Sequence, residues 1–286
     1  MPIIPKLLRR VENEKYKKGV EKKFRYFQNR KKKILNSFKR GYKIHASTFG
    51  IPTDIYDLKK EFVVAEVDQD GFFLPFIDKK YIEFLPLTSE EYFLKRERFK
   101  IFLVISHGYL GIKKNYRGNK YRFLKELESL YKLSEKDVNV PTILDIDFNN
   151  LTIIISFIDG EVLREKLAEQ GALIRDKQVG KNSDYTYVKR KIVAGRRLKE
   201  GRRFLPKVID KEVFLKLSQQ LNEIHKCGII INDIKYGNII IENNTKEPYF
   251  IDFETATILE KSFGLKYNIL ANFERKRLIK HFKSML

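Results

Sequence analysis

The stretch Ile224–Ala256 reads IHKCGIIINDIKYGNIIIENNTKEPYFIDFETA. An apolar run, Gly228 to Ile231, leads into Asn232-Asp233-Ile234-Lys235-Tyr236-Gly237-Asn238. A second run, Ile239 to Ile241, is followed by Asn243-Asn244-Thr245-Lys246-Glu247, which is turn chemistry. A third, Tyr249-Phe250-Ile251, delivers Asp252. Two short strands around a tight turn predict a hairpin. A hairpin returns the chain on itself, so Asn238 at its entry and Asp252 at its exit lie at the same end. Asp233 and Lys235 come from the loop just before it. Two carboxylates, one amide and one ammonium then converge on one small volume. That set matches the needs of phosphoryl transfer: oxygen ligands for Mg²⁺, a group to orient an attacking hydroxyl, and a cation for the moving phosphoryl charge.

Working outward, the helix Lys211–His225 precedes this stretch, and one basic amphipathic helix, about residues 269–285, follows it. Upstream, Phe99–Ser106 and Tyr109–Asn115 read as strands joined by His107-Gly108, the second ending in Lys113-Lys114. Lys120–Leu133 is a helix with Phe123, Leu127, Leu130 and Leu133 on one face. Thr142–Phe148 and Leu151–Ile158 are strands, the latter nearly all apolar and so buried. Asp159-Gly160 ends it, and a helix Val162–Gln170 follows. Nearer the N-terminus, Phe62–Val67 and Phe72–Ile77 flank the hairpin signal Asp70-Gly71, and Tyr81–Leu87 is a further strand. Residues 5–43 read as helix, with apolar residues at helical spacing among Lys and Arg, until Gly41, Gly50 and Pro52 break it.

Composition bounds the reading. The chain has 286 residues, 43% of them hydrophobic, enough for a two-lobed domain with a real core. No apolar run reaches transmembrane length, and the N-terminus is too charged for a signal peptide. A single cysteine, Cys227, excludes an internal disulfide and fits a reducing compartment, so a cytoplasmic location is expected. The formal charge is +21 and concentrated: residues 1–45 hold 16 Lys/Arg against 3 Asp/Glu, and residues 171–207 hold 12 against 3. Such segments imply an anionic partner, whether a membrane surface, a nucleic acid or a phosphorylated substrate. The basic amphipathic N-terminal helix either lies on an anionic bilayer or docks onto the domain's own surface. His225 at a helix C-terminus is read as structural, and no His/Cys set has metal spacing.

The order strand with Lys, helix with Glu, two strands, hinge, helix, D-x-K-x-x-N and D-F resembles the protein-kinase-like superfamily over roughly residues 90–285. Asp233–Asn238 matches the catalytic loop, and Asp252-Phe253-Glu254 sits where D-F-G would be. Gly111-Ile112-Lys113 resembles the A-x-K of the third strand, and Glu126 the partner of its lysine. The resemblance implies an α+β, two-lobed fold. Its parts are a basic helical extension (1–50), a small β-rich N-lobe (51–158) and a mainly helical C-lobe (159–286) with a basic insertion at 171–207. It implies ATP and Mg²⁺ as cofactors. Asp233 and Lys235 would be catalytic, and Asn238 and Asp252 would hold the metal. Lys113, Glu126 and the hinge residues Phe157 and Ile158 would bind the nucleotide. Lys114, adjacent to Lys113, points to the opposite strand face, so only one of the two reaches the site, and Glu128 competes with Glu126.

The departures narrow the family. No G-x-G-x-x-G precedes Lys113, so the phosphate cover is placed at Lys95-Arg96-Glu97-Arg98. Asn232 replaces the arginine of H-R-D, Glu254 replaces the glycine after Asp-Phe, and no A-P-E follows. Choline and aminoglycoside phosphotransferases share N-D-x-x-x-x-N but have longer C-terminal lobes. Small atypical kinases of the tRNA-modification type are similar in compactness but lack a long N-terminal addition. The compact lipopolysaccharide core kinases, acting on heptose or keto-deoxyoctulosonate at the inner membrane face, resemble the chain in their acidic residue after D-F and short basic final helix. The expected activity is therefore transfer of the γ-phosphate to a sugar hydroxyl of an anionic, lipid-linked glycan, with residues 1–45 touching the membrane. The alternatives are a protein or small-molecule kinase and a nucleic-acid-binding pseudokinase.

Overall fold

A computed structural model describes residues 3–38, 41–45, 62–67, 85–86, 101–136, 138–163 and 211–282. The largest sheet is antiparallel, with six strands in the order β2-β1-β3-β4-β6-β5. They are β1 (Phe62–Val67), β2 (Leu85–Pro86), β3 (Ile101–Ser106), β4 (Tyr109–Asn115), β5 (Ile143–Asp147) and β6 (Thr152–Ser156). Pro86, which has no N–H to donate, lies in the edge strand, where a lost ladder bond is tolerated. The β3–β4 hairpin turns at His107-Gly108, both with positive φ. Helix α4 (Lys120–Leu133) packs against this sheet, α5 spans Lys211–Lys226 and α6 spans Leu265–Phe282. Asn119 caps α4, its side chain accepting from the Arg122 N–H at 3.1 Å. The buried Phe123, Leu127, Leu130 and Leu133 form the apolar stripe expected from their spacing.

The second half begins with β7 (Gly160–Val162), which pairs antiparallel with β9 (Ile239–Glu242). Val162, expected to open a helix, is instead the last residue of this strand. Gly160 permits the strand: a Cβ there would run into the Ile241 carbonyl oxygen. On its other side β9 pairs with β10 (Pro248–Phe250), and this is the predicted hairpin, with Phe250 opposite Ile239. A separate two-stranded ribbon joins β8 (Ile229–Ile230) to β11 (Thr257–Ile258). Together the sheet, its helix and this second half form a mixed α+β, protein-kinase-like two-lobed fold. No described helix is long and apolar enough to cross a membrane.

The N-terminal segment is three helices, not one: α1 (Ile3–Lys18), α2 (Val20–Asn29) and α3 (Lys31–Ser37). The breaks fall at Gly19, with φ −96° and ψ −1°, and at Arg30, with φ −112° and ψ 13°, and each helix meets a different element. Helix α1 lies on α6 and β11, α2 on α4, and α3 on β5. Tyr16, Phe27, Ile34 and Phe38 are buried in the same core as Phe123, Leu127, Ile153, Ile231 and Phe253. Phe24 stacks edge-on to Phe148, and Phe27 to Tyr131. The helices thus dock onto the domain's own surface, one of the two dispositions their amphipathicity allowed. Outside the described residues lie the expected strand Phe72–Ile77, most of Tyr81–Leu87, the turn Lys95–Arg98, residues 164–170 of the expected helix Val162–Gln170 and the basic segment 171–207.

Candidate functional site

Strand β4 carries Leu110, Ile112 and Lys114 on the face turned to α4, because side chains alternate along a strand. Leu110 and Ile112 are in the main core, and Lys114 continues that face. Its Nζ donates to both carboxylate oxygens of Glu126, at 2.7 and 2.6 Å, and to Asp252 Oδ1 at 3.1 Å. This corrects the sequence reading: the lysine paired with Glu126 is Lys114, not Lys113. Lys113 is on the opposite face, near Asp147, whose carboxyl is held low against burial by hydrogen bonds from Asn150 and Asn149 and, least, by the Lys113 charge. The alternation of Leu110 and Ile112 with Tyr109 and Gly111 was the signal in the sequence that favours Lys114.

Glu126 is buried, with 1% of its side chain exposed, and also accepts from Tyr116 Oη at 2.7 Å. Its rival Glu128 faces the other way, toward Tyr16 and Lys23. Burial pushes the Glu126 carboxyl upward against the pull of Lys114. Burial likewise works against the Lys114 charge, but Asp252 and Glu126 outweigh it and raise the ammonium above its usual value. Asp252 is held low: burial opposes its charge, and Lys114 and then Lys235 overcome that. Glu254 is raised by burial and by Asp252, and accepts from Arg122 at 3.4 Å.

The hairpin brings the remaining predicted groups to this pair. Ile251 N donates to Asn238 O at 3.1 Å, setting Asp252 beside the entry of β9. Asn238 Nδ2 donates to Asp233 O at 3.0 Å and to its Oδ2 at 3.3 Å, leaving Oδ1 as the oxygen it can offer a cation. Lys235 Nζ donates to Asp233 Oδ2 at 2.6 Å. Lys114, Glu126 and Asp252 form one bonded set and Asp233, Lys235 and Asn238 another, and the Ile251–Asn238 backbone bond and the charge of Lys235 on Asp252 link the two into one cluster. The Asn238 amide and Asp252 carboxylate are hard oxygen donors and fit Mg²⁺. Phe157 and Ile158 are not in this cluster. They form the connection from β6 to β7, with Phe157 N on Leu110 O and Ile158 buried beside Ile240 and Tyr249.

Asn232 and Asp252 both have left-handed backbones, φ 69° and 68°. Asn and Asp tolerate that region better than other non-glycine residues, which suits an asparagine where the resemblance has arginine. The conformation is over-determined. Asn232 N donates to Glu274 Oε1 at 2.6 Å, and Arg277 donates to Asn232 O at 2.7 Å. The Asn232 side chain donates to Thr255 O at 2.7 Å and Thr257 Oγ1 at 2.9 Å. Glu274 also accepts from Ile231 N at 2.9 Å and lies 3.0 Å from His225 Nε2, with both side chains fully buried. His225 is structural, as expected, and Glu274 of α6 is the loop's anchor. Nothing in the sequence marked Glu274, because its partners are 42 to 49 residues away and two are backbone amides.

No protein-family model matches the chain. It is 26% identical over 132 residues to the EKC/KEOPS complex subunit bud32 of Dictyostelium discoideum, covering 46% of this chain and 40% of the relative. It is 27% identical over 152 residues to the KEOPS complex subunit Bud32 of Pyrococcus abyssi, covering 51% and 52%. The chain thus spans about half the length of the curated relatives it matches. With the motif order, these likenesses support the protein-kinase-like fold described above.

Proposed function

We propose that the chain is an ATP- and Mg²⁺-dependent phosphotransferase of the compact, atypical kind, moving the γ-phosphoryl group of ATP to an alcohol group. The observation that carries this is the linked cluster: Lys114 bonds Glu126 and Asp252, while Asn238 bonds Asp233. In this reading Lys114, held straight by Glu126, binds the α/β-phosphates. Asn238 and Asp252 would hold Mg²⁺, which would supply positive charge against that of the phosphates. Asp233 accepts a hydrogen bond from the acceptor hydroxyl and aims it, and Lys235 faces the charge on the transferring group. Phe157 and Ile158 lie on the connection proposed to flank the base.

For the acceptor, the relatives favour an atypical protein or small-molecule kinase over a lipopolysaccharide core kinase. Both relatives carry the names of complex subunits, so work alongside protein partners is part of the proposal. The lipid-linked glycan rested partly on residues 1–45 as a membrane arm, and the buried faces of α1–α3 are spent on the domain itself.

Transfer from labelled ATP, offered in parallel to protein substrates, choline-type small molecules and lipopolysaccharide core, tests both levels. Mg²⁺-dependent labelling of protein is expected, reduced about a hundredfold or more by Asp233→Ala. Equal labelling by wild type and variant removes the catalytic assignment, and labelling of the glycan alone restores the sugar-kinase reading. ATP binding without turnover, together with salt-sensitive RNA binding, identifies a pseudokinase.

A further inference from the structure

Helix α1 bonds to two elements beside the site, α4 and β11, which also pack against each other. Lys125, on the side of α4 away from Lys114, is almost fully buried and donates from Nζ to Asn13 Oδ1 at 2.7 Å. The same oxygen accepts from Thr257 Oγ1 at 3.3 Å. The Thr257 hydroxyl in turn accepts from Asn232 Nδ2 at 2.9 Å. Asn232 donates to the Thr257 hydroxyl and Thr257 to Asn13 Oδ1, while Lys125 donates to that same oxygen from the other side, so two donors converge on one acceptor. The Asn232 bond polarises the Thr257 hydroxyl toward Asn13, and Lys125 and Thr257 are both buried. Around this line α1 is tied at two more points. Tyr16 Oη donates to Glu128 of α4 at 2.8 Å, and Lys266 of α6 donates to Glu12 at 2.8 Å. Helix α6 is the element whose Glu274 holds the backbone of Ile231 and Asn232.

We infer that Asn13 is a positioning residue, through which α1 couples the placement of α4, and hence of Glu126 and Lys114, to the conformation of the loop bearing Asp233. The inference rests on the phosphotransferase reading for its activity readout. Asn13 touches none of the proposed reacting groups. Its effect passes through Lys125 to the helix that carries Glu126, and through Thr257 and Asn232 to the neighbour of Asp233. A side chain with that place affects both halves of the site together, whereas a packing residue affects only its own contacts.

The test is a double-mutant cycle in the full chain on Lys125→Met and Thr257→Val, two residues whose side chains meet on the Asn13 oxygen. Each single change is expected to lower kcat roughly three- to thirtyfold, with KM for ATP moving less. The double variant should lose little more than the worse single one. Asn13→Leu should reproduce the loss, Asn13→Asp, which keeps the accepting oxygen, should recover most of it, and Val11→Ala on the exposed face of α1 serves as control. Fold-losses that simply multiply in the double variant overturn the coupling. If Asn13→Leu fails to fold by circular dichroism, the cycle decides without it. Amide hydrogen exchange provides a readout independent of catalysis: Lys125→Met should speed exchange in residues 231–238 as well as in α4. If wild type and Asp233→Ala are equally inactive, the phosphotransferase reading fails, and the exchange measurement alone decides the coupling. Unchanged exchange at 231–238 then overturns it.

Discussion

At the residue scale the deciding fact is which lysine meets Glu126. Strand alternation gives β4 two chemically different edges one residue apart, and the apolar neighbours Leu110 and Ile112 draw their face onto α4. Lys114 is carried with them and is left with 13% of its side chain exposed. A buried ammonium is tolerable there because three carboxylates surround it: Glu126, Asp252 and Glu254. Lys114→Met should therefore weaken MgATP binding by about tenfold or more, and Lys113→Met by less than about threefold, since a paired phosphate contact contributes 1.5–3 kcal/mol or so. Fluorescent-nucleotide titration measures both. Equal losses would mean that the lysine on the sheet's outer face also reaches the nucleotide. The same alternation was open to reading in the sequence, whereas the role of Glu274 was not, because two of its partners are backbone amides brought up by the fold.

At the scale of elements, α4 has two working sides. One presents Glu126 to Lys114, and the other presents Lys125 and Glu128 to α1 and α2. Burial, and then the neighbouring charge of Lys17, pushes the Lys125 ammonium down to about 7. The sign follows from comparing the two states. The unfolded chain keeps this lysine protonated up to about 10.5, so between pH 7 and 10.5 it binds more protons than the folded chain. Folding stability from this group then rises with pH across that window, and below pH 7 the full penalty persists. Lys125→Met removes the penalty, so its stability relative to wild type should be most favourable at pH 6–7 and fall behind as pH approaches 10. Urea midpoints at both ends of the range measure this. A gap between the two proteins that does not change with pH would mean that the site is wet enough to keep its charge.

On the scale of the whole molecule, the basic N-terminal helices are part of the core. Tyr16, Phe27, Ile34 and Phe38 are buried with residues of both lobes. At about 1.5–3 kcal/mol for each such side chain, their burial rivals the entire net stability of a domain, about 5–15 kcal/mol. Removing residues 1–38 should therefore abolish cooperative melting and leave a chain that aggregates, as followed by circular dichroism and gel filtration. A truncated protein with a sharp transition within a few degrees of the full chain would show that α1–α3 are an accessory layer. The exposed side of the same helices keeps Ile3, Ile4 and Leu7 beside Lys6 and Arg10, so charge and apolar surface remain outward even though the packed side is committed.

What the sequence determined by itself was local and periodic: the strands β3, β4, β5 and β6, the helices α4, α5 and α6, and the hairpin that returns Asp252 to Asn238. These follow from alternation, helical spacing and turn residues within a few positions of each other. The convergence of Asp233, Asn238 and Asp252 was legible for the same reason, since all three lie within 20 residues. Tertiary structure decided the rest. It broke the N-terminal helix into three, because each piece buries its apolar face against a different partner. It drew Gly160–Val162 into a sheet, because β9 offered an open edge. It placed Lys114, Asn13 and Glu274, whose partners lie up to 244 residues away for Asn13. A hydrogen bond across such a distance leaves no period in the sequence, since only the packing of whole elements brings its two ends together.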